Sequence, residues 1–241
     1  EDVLYGYDND DEATPSAVRR ELIAGLTTAK NAGLTPLAID YCATPAHIDD
    51  AYAQNALQGF VSFSAPHRDL DVIPEYPALP PSWNTDAVTA MNAVHNFLYL
   101  INPQRFTVRS EYLQALEGTD HDLLIVDYEY DGIPLTQEEV TALKVKKSGA
   151  RRLVIAYMSI GEAEDYRWYW RDSWKNHPPA WLESANPDWP GNYKVRYWDS
   201  QWQAIILGPG DSYLNRLLAA GFDGAYLDII DAFEYFEEKR R

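Results

Sequence analysis

Thr136-Gln-Glu-Glu139-Val-Thr-Ala-Leu143-Lys-Val-Lys-Lys147-Ser-Gly149-Ala-Arg-Arg-Leu153-Val-Ile-Ala-Tyr157 reads as a helix leading into a strand. Thr136 and Glu139 form a capping box, which satisfies two otherwise missing hydrogen bonds at a helix start. Val140, Leu143 and Lys147 follow at helical spacing, Gly149 marks the stop, and an apolar run ends at Tyr157. The same unit recurs along the chain. Leu26 to Gly33 leads into Pro36-Leu-Ala-Ile-Asp40-Tyr41, and residues 110–118 lead into Leu123-Leu-Ile-Val-Asp127-Tyr128. Asp211 to Gly221 leads into Gly224-Ala-Tyr-Leu-Asp228, with Leu214, Leu217 and Leu218 on one helix face and Gly221 suited to a left-handed stop.

These strands are near-continuous apolar runs without polar alternation, the pattern of strands buried on both faces in a parallel sheet. Residues 3–7, 59–64, 97–101 and 193–198 are further strand candidates. Eight strands interleaved with helices predict a (β/α)8 TIM-type barrel, and the 241 residues suit one such domain spanning 1–241. A doubly wound open sheet is the alternative, but its G-x-G-x-x-G turn is absent. Pro77, Pro80 and Pro81 read as a stiff connection within the domain.

The formal charge of −17 argues against nucleic acid, since phosphate contacts need clustered Lys and Arg. It equally disfavours anionic membranes and phosphorylated substrates, and a cationic or neutral ligand fits better. No stretch approaches the ~20 apolar residues of a membrane span. Residues 1–20 show no leader pattern, so a secretory signal is expected to have been removed or never to have existed. Cys42 is the single cysteine, so an intramolecular disulfide and a Cys-rich metal site are excluded.

In a barrel of this kind the active site forms at the C-terminal ends of the strands. Asp40 with Tyr41, Asp127 with Tyr128, Tyr157, and Asp228 stand there. A carboxylate ending an apolar strand must be paired, hydrogen-bonded or facing a wet cavity. One alone reads as a loop cap; four such rim positions make an acidic pocket. The loop after Tyr157 adds Gly161 for a sharp turn, Glu162, Glu164, Tyr166, Arg167 and an aromatic run to Trp170, and the loop after Asp228 adds Asp231 and Glu234. Flat rings beside carboxylates suit a sugar cleft: the rings pack on a pyranose face while acids bind hydroxyls or attack the anomeric carbon. Most of Trp168, Trp170, Trp174, Trp181, Trp189, Trp198 and Trp202 are expected to pack against the barrel, with one or two touching ligand. The histidines at 47, 67, 95, 121 and 177 show no zinc spacing, and neither a G-x-S-x-G elbow nor a P-loop is present. Cys42 follows Asp40-Tyr41 without an activating His nearby in sequence and reads as a packing residue. Paired-carboxylate glycoside hydrolysis needs neither metal nor cofactor, and none is expected.

Tyr157-Met-Ser-Ile-Gly-Glu-Ala-Glu-Asp-Tyr-Arg167, Asn186-Pro-Asp-Trp-Pro-Gly-Asn-Tyr193, Tyr197-Trp-Asp-x-x-Trp202 and Gly221-Phe-Asp-Gly-Ala-Tyr-Leu-Asp228-Ile-Ile-Asp-Ala-Phe-Glu-Tyr235 together resemble glycoside hydrolase family 114. The resemblance implies a (β/α)8 barrel, extracellular or periplasmic action, and endo-cleavage of α-1,4-linked galactosamine polymers in exopolysaccharide. Free galactosamine is cationic, which agrees with the acidic charge. Relative to the family the order is rotated, with segments similar to 97–235 early and those similar to 1–7, 37–41 and 59–64 late. A family strand and helix between the counterparts of Tyr235 and Glu1 are missing. The resemblance therefore implies a circularly permuted or incomplete barrel.

By the same resemblance Asp228 is the nucleophile and Glu1 the general acid/base of a retaining scheme. If Glu1 is displaced, Asp127, Glu129 and Glu162 are the next candidates for the proton donor. Asp40, Tyr41, Asp127, Tyr157, Glu162, Glu164, Arg167 and Asp231 are expected to bind substrate. Retention places the two carboxyls ~5–5.5 Å apart and inversion ~6.5–9.5 Å. Two other readings remain: a carbohydrate-binding barrel without turnover, and a hydrolase of a neutral α-glycoside.

Overall fold

The computed structural model describes residues 1–239. Contacts divide the chain into Glu1–Val126 with Thr141–Val154, and Asp127–Val140 with Ile155–Arg241. In the first unit, helix α1 (Ser16–Asn31) stops ahead of Gly33, which takes the left-handed φ of 87°. Strand β1 (Leu37–Tyr41) follows, then α2 (Pro45–Gln58) and β2 (Val61–Ala65). Strands β1 and β2 pair in parallel from Leu37↔Val61 to Tyr41↔Ala65. Strand β3 (Phe97–Leu100), helix α3 (Arg109–Glu117) and β4 (Leu123–Val126) repeat the unit, again with parallel pairing. Every residue of β3 and β4 is buried, as their unbroken apolar runs require.

The second unit opens with a small hairpin, β5 (Glu129–Tyr130) and β6 (Ile133–Pro134). Helix α4 (Gln137–Leu143) begins at the predicted capping box: the Thr136 N–H donates to Glu139 Oε2 at 2.7 Å, and the Glu139 N–H to Thr136 Oγ1 at 3.2 Å. Strand β7 (Leu153–Ser159), which belongs to the second unit from Ile155 on, leads to β8 (Glu162–Glu164), β9 (Leu182–Ala185) and β10 (Asn192–Val195). Helices α5 (Ser200–Leu207) and α6 (Tyr213–Ala219), strand β11 (Gly224–Asp228) and helix α7 (Phe233–Glu238) complete it. Strand β11 lies parallel to β7, from Gly224↔Ile155 to Asp228↔Ser159.

Six of the eight predicted strands are thus parallel strands, and the architecture is mixed α/β. Two differ. Residues 3–7 form only an isolated bridge, Tyr5↔Ala13, because the Leu4 and Tyr5 N–H groups turn to the Asp40 side chain, at 2.6 and 3.0 Å. Residues 193–198 contribute to β10, the middle strand of an antiparallel sheet with β8 and β9. Strand β2 starts at Val61 rather than 59, since Gly59 is the left-handed cap of α2, φ 70°.

The helix predicted over 136–149 stops at Leu143. Beyond it the backbone folds back through a Val145↔Arg151 bridge, and Lys146 Nζ reaches Asp122 at 2.5 Å with both side chains fully buried. The Asp86 carbonyl and Asn84 Oδ1 also accept from that ammonium, at 2.9 and 3.2 Å. Of the predicted leucine face of α6, Leu217 is buried while Leu218 is exposed. Among the described residues no helix is long and apolar enough to cross a membrane.

Candidate active site

Side chains alternate along a strand, so Tyr226 and Asp228 share one face of β11 and Leu227 takes the other. Asp228 ends the strand half-buried, and the Tyr157 hydroxyl, two strand positions before Ser159, donates to its carboxylate. Burial, then Glu164 and Asp228, push the Tyr157 hydroxyl far above its usual range, so it stays protonated and keeps its donor hydrogen. The next residue, Ile229, has φ 59°. A β-branched residue in the left-handed region is strained by ~1–3 kcal/mol, and such strain clusters at functional sites.

Gly161 explains how that turn is held. A Cβ on Gly161 would lie 2.2 Å from the Ile229 carbonyl oxygen and 2.6 Å from Ala232 Cβ. The glycine is needed for close approach, whereas the sequence suggested a sharp turn of its own.

Arg167 gathers the carboxylates that follow β4 and β7. Its guanidinium donates to both Asp127 oxygens at 2.7 Å and to Glu164 at 2.8 and 3.2 Å. Burial works against the charge, but Asp127 and Glu164 overcome it and hold Arg167 well above its ordinary value. Tyr166 donates to Glu164 Oε1 at 2.6 Å, and the Glu164 N–H donates to the Tyr169 hydroxyl at 3.0 Å. Glu129, 3.7 Å from Arg167, makes no hydrogen bond through either carboxyl oxygen.

Glu162, fully buried, accepts from Asn186 at 2.9 Å, Lys194 at 2.5 Å and Asn192 at 3.1 Å. Sequence reasoning missed Lys194. The signal was present: Asn192 and Lys194 are two apart on a strand and must share a face. Asp231 is exposed in the turn before α7.

The first unit holds the remaining predicted residues. Asp40 lies inside β1, fully buried, and accepts from the Leu4 and Tyr5 N–H groups and from Asn55 at 2.8 Å. Burial raises its carboxyl, and those bonds pull it back. Tyr41 donates to Glu1 Oε2 at 2.9 Å and lies under the Arg68 guanidinium, 4.5 Å from the ring centre. Glu1 belongs to this unit and Asp228 to the other. Burial pushes the Cys42 thiol up to about 12, which leaves it inert as a nucleophile at neutral pH. His67, Asp69 and Asp71 place ligand atoms within 4.8 Å of one another, but Arg105 already supplies the cation there, with its Nε 2.5 Å from Asp71.

Most tryptophans pack. Trp170, Trp174, Trp181 and Trp202 form a continuous ring contact, and Arg216 sits 3.7 Å over Trp168, while Trp189 and Trp198 are exposed. A groove of about 730 Å³ runs beside β11, lined by Trp202, Ile206, Leu207, Leu227, Ile230 and Phe233 among others. Leu227 faces it and Asp228 does not, so this apolar groove lies off the acidic face.

Half-buried and buried carboxyls at the ends of parallel strands, organised by one arginine and several tyrosines, define an α/β domain with an acid-rich candidate site. The profile of glycoside-hydrolase family GH114 matches residues 103–240, and the chain belongs to that family. The segments 1–7, 37–41 and 59–64 fall outside the matched span. An uncharacterized protein of Methanocaldococcus jannaschii is 40% identical over 136 residues, 55% of this chain and 37% of that protein. One of Deinococcus radiodurans is 44% identical over 128 residues, 53% of this chain and 39% of the relative. The chain thus spans well under half the length of these relatives. The crystal structure of Aspergillus fumigatus Ega3 in complex with galactosamine aligns with TM-score 0.37 and 20% identity, over 68% of this chain and 50% of that one.

Proposed function

We propose that this chain is the core of a glycoside hydrolase that cleaves α-1,4-linked galactosamine polymers from within, outside the cell or in the periplasm, on a (β/α)8-type barrel of permuted order. The observation that carries the reading is Asp228: a half-buried strand-end carboxylate, inside the span matched to family GH114, receiving a hydrogen bond from Tyr157 and followed by a strained turn. In this reading Asp228 attacks the anomeric carbon. The carboxyl that exchanges the proton is Glu1, by resemblance, or one of the buried carboxyls of the second unit. Arg167 fixes Asp127 and Glu164 around the sugar, and no cofactor takes part.

The surplus of carboxylates favours a cationic sugar. Incubation with α-1,4-galactosamine oligomers, free and fully N-acetylated, tests this, since acetylation removes the positive charge. Faster cleavage of the free-amine oligomers is expected. Equal or faster cleavage of the acetylated ones would move the substrate class to neutral α-glycosides, and binding without products in a long incubation would leave a carbohydrate-binding domain.

A further inference from the structure

The first unit contains a cavity of about 190 Å³, lined by residues of that unit alone. Tyr52 of α2, Phe63 of β2 and the proline-rich stretch from Ile73 to Pro80 supply its apolar lining. Gly118 to His121, the turn between α3 and β4, and Lys147 supply the rest. The lining is held in place. The Tyr76 hydroxyl donates to Asp49 Oδ1 at 2.8 Å, which ties the proline stretch to α2. The Lys147 N–H donates to the Thr119 carbonyl at 2.9 Å, and the Ser148 N–H to Asp120 at 2.8 Å. Pro74, Pro77 and Pro80 have φ fixed by their rings, so little freedom remains to be lost when the cavity fills.

His121 is the polar side chain of this lining that the protein leaves unsatisfied. It is 9% exposed, its Nδ1 is buried, and among the described residues no hydrogen bond reaches its ring. Burial, with Arg152 adding, keeps the ring uncharged at neutral pH. With Nδ1 sealed in the protein, Nε2 is the nitrogen left to bond an occupant. A buried polar group without a partner is costly, and an occupant that bonds it recovers the cost. Asp120 is engaged on both oxygens, by the Ser148 N–H and by Trp83 Nε1 at 3.3 Å, and each oxygen can still accept a second bond. Burial works against its charge, but Ser148, Trp83 and Lys147 outweigh this and hold its carboxyl below the ordinary value. Asp120 and Lys147 thus bring one negative and one positive charge to the same cavity.

We propose that this cavity binds a single neutral sugar ring. The proposal does not depend on the hydrolase reading above. Pockets for drug-sized ligands run to ~300–1,000 Å³, so this smaller one admits one ring rather than an oligosaccharide. An anion would meet Asp120 and a cation would meet Lys147, whereas a hydroxyl donates to the first and accepts from the second. A wholly apolar occupant would leave Asp120, Lys147 and the His121 ring without partners. The C–H face of a sugar packs on flat side chains such as Tyr52 and Tyr76 while its hydroxyls reach the polar groups.

Saturation-transfer NMR titrations with galactose, N-acetylgalactosamine, galactosamine and indole test it on the whole chain. Galactose and N-acetylgalactosamine are expected to bind the wild type more tightly than cationic galactosamine or apolar indole. His121→Phe keeps a flat ring and removes both nitrogens, and a ~3–10-fold weaker affinity for the neutral sugars is expected. Lys147→Glu leaves two carboxylates in the lining and should reverse the preference, so that galactosamine binds more tightly than galactose. Lys147 is exposed, and this variant carries the test if His121→Phe fails to fold. Absence of binding by either neutral sugar, tighter binding of galactosamine or indole to the wild type, or unchanged affinities in the folded variants would each overturn the proposal. None of these results bears on polymer cleavage at Asp228, so the hydrolase reading stands or falls separately.

Discussion

At the scale of single residues, Arg167 carries more than any other side chain in the second unit. It is 2% exposed and bonds Asp127 and Glu164 at once. Replacing it with Met would leave two buried carboxylates without their partner, and a loss of ~3–5 kcal/mol in urea unfolding is expected. Lys should restore little of this, because one ammonium cannot match the planar fork that spans two carboxylates. Asp127, Glu164 and Arg167 were all visible in the sequence as candidates. Their pairing was not, since Asp127 and Arg167 are 40 residues apart and only tertiary folding joins them. The reverse holds for Asp40: a strand-ending acid on paper, it serves as a backbone anchor for Leu4 and Tyr5.

At the scale of elements, the turn after β11 depends on the turn after β7. Gly161→Ala would drive a methyl into the Ile229 carbonyl and shift the end of β11. A displacement near 1 Å at the reacting groups can cost ~100-fold in rate, and overpacking ~1–3 kcal/mol in stability. Turnover of the polymer together with urea unfolding of the variant checks both. A variant with wild-type turnover would show that this turn does not position Asp228. The parallel strands were legible because continuous apolar runs have few other uses. The β8–β10–β9 sheet was not, since its short strands carry polar residues such as Glu162, Asn192 and Lys194, which bond one another in place of an apolar run. Helix α4 ended early for a related reason: Lys146 reads as a surface helix residue, yet its buried bond to Asp122 redirects the chain. Lys146→Met should therefore destabilise the protein by ~3–5 kcal/mol, read by thermal or urea unfolding.

At the scale of the whole molecule, acid stability and catalysis give separate handles. Burial, with Arg152 adding, pushes His121 down to about 3 from an ordinary value of 6.5. The unfolded chain binds a proton at this position below pH ~6.5 while the folded chain refuses it until pH ~3, so stability falls as the pH drops through that window, by on the order of 5 kcal/mol. His121→Gln should flatten the urea midpoint between pH 6.5 and 5, where most carboxylates have not begun to titrate; an unchanged slope would contradict this. The acidic surface, by contrast, was open to inspection from composition alone, and its −17 charge frames the ligand more than the fold.

The central claim is that Asp228 performs glycoside cleavage, and product analysis tests it most directly. Wild-type protein and Asp228→Asn are incubated side by side with partly deacetylated α-1,4-galactosamine polymer, and the released oligosaccharides are measured by mass. Oligomers from the wild type and none from the variant are predicted. Equal release from both proteins would remove Asp228 from the chemistry, and no release from either would contradict the hydrolase assignment for this chain.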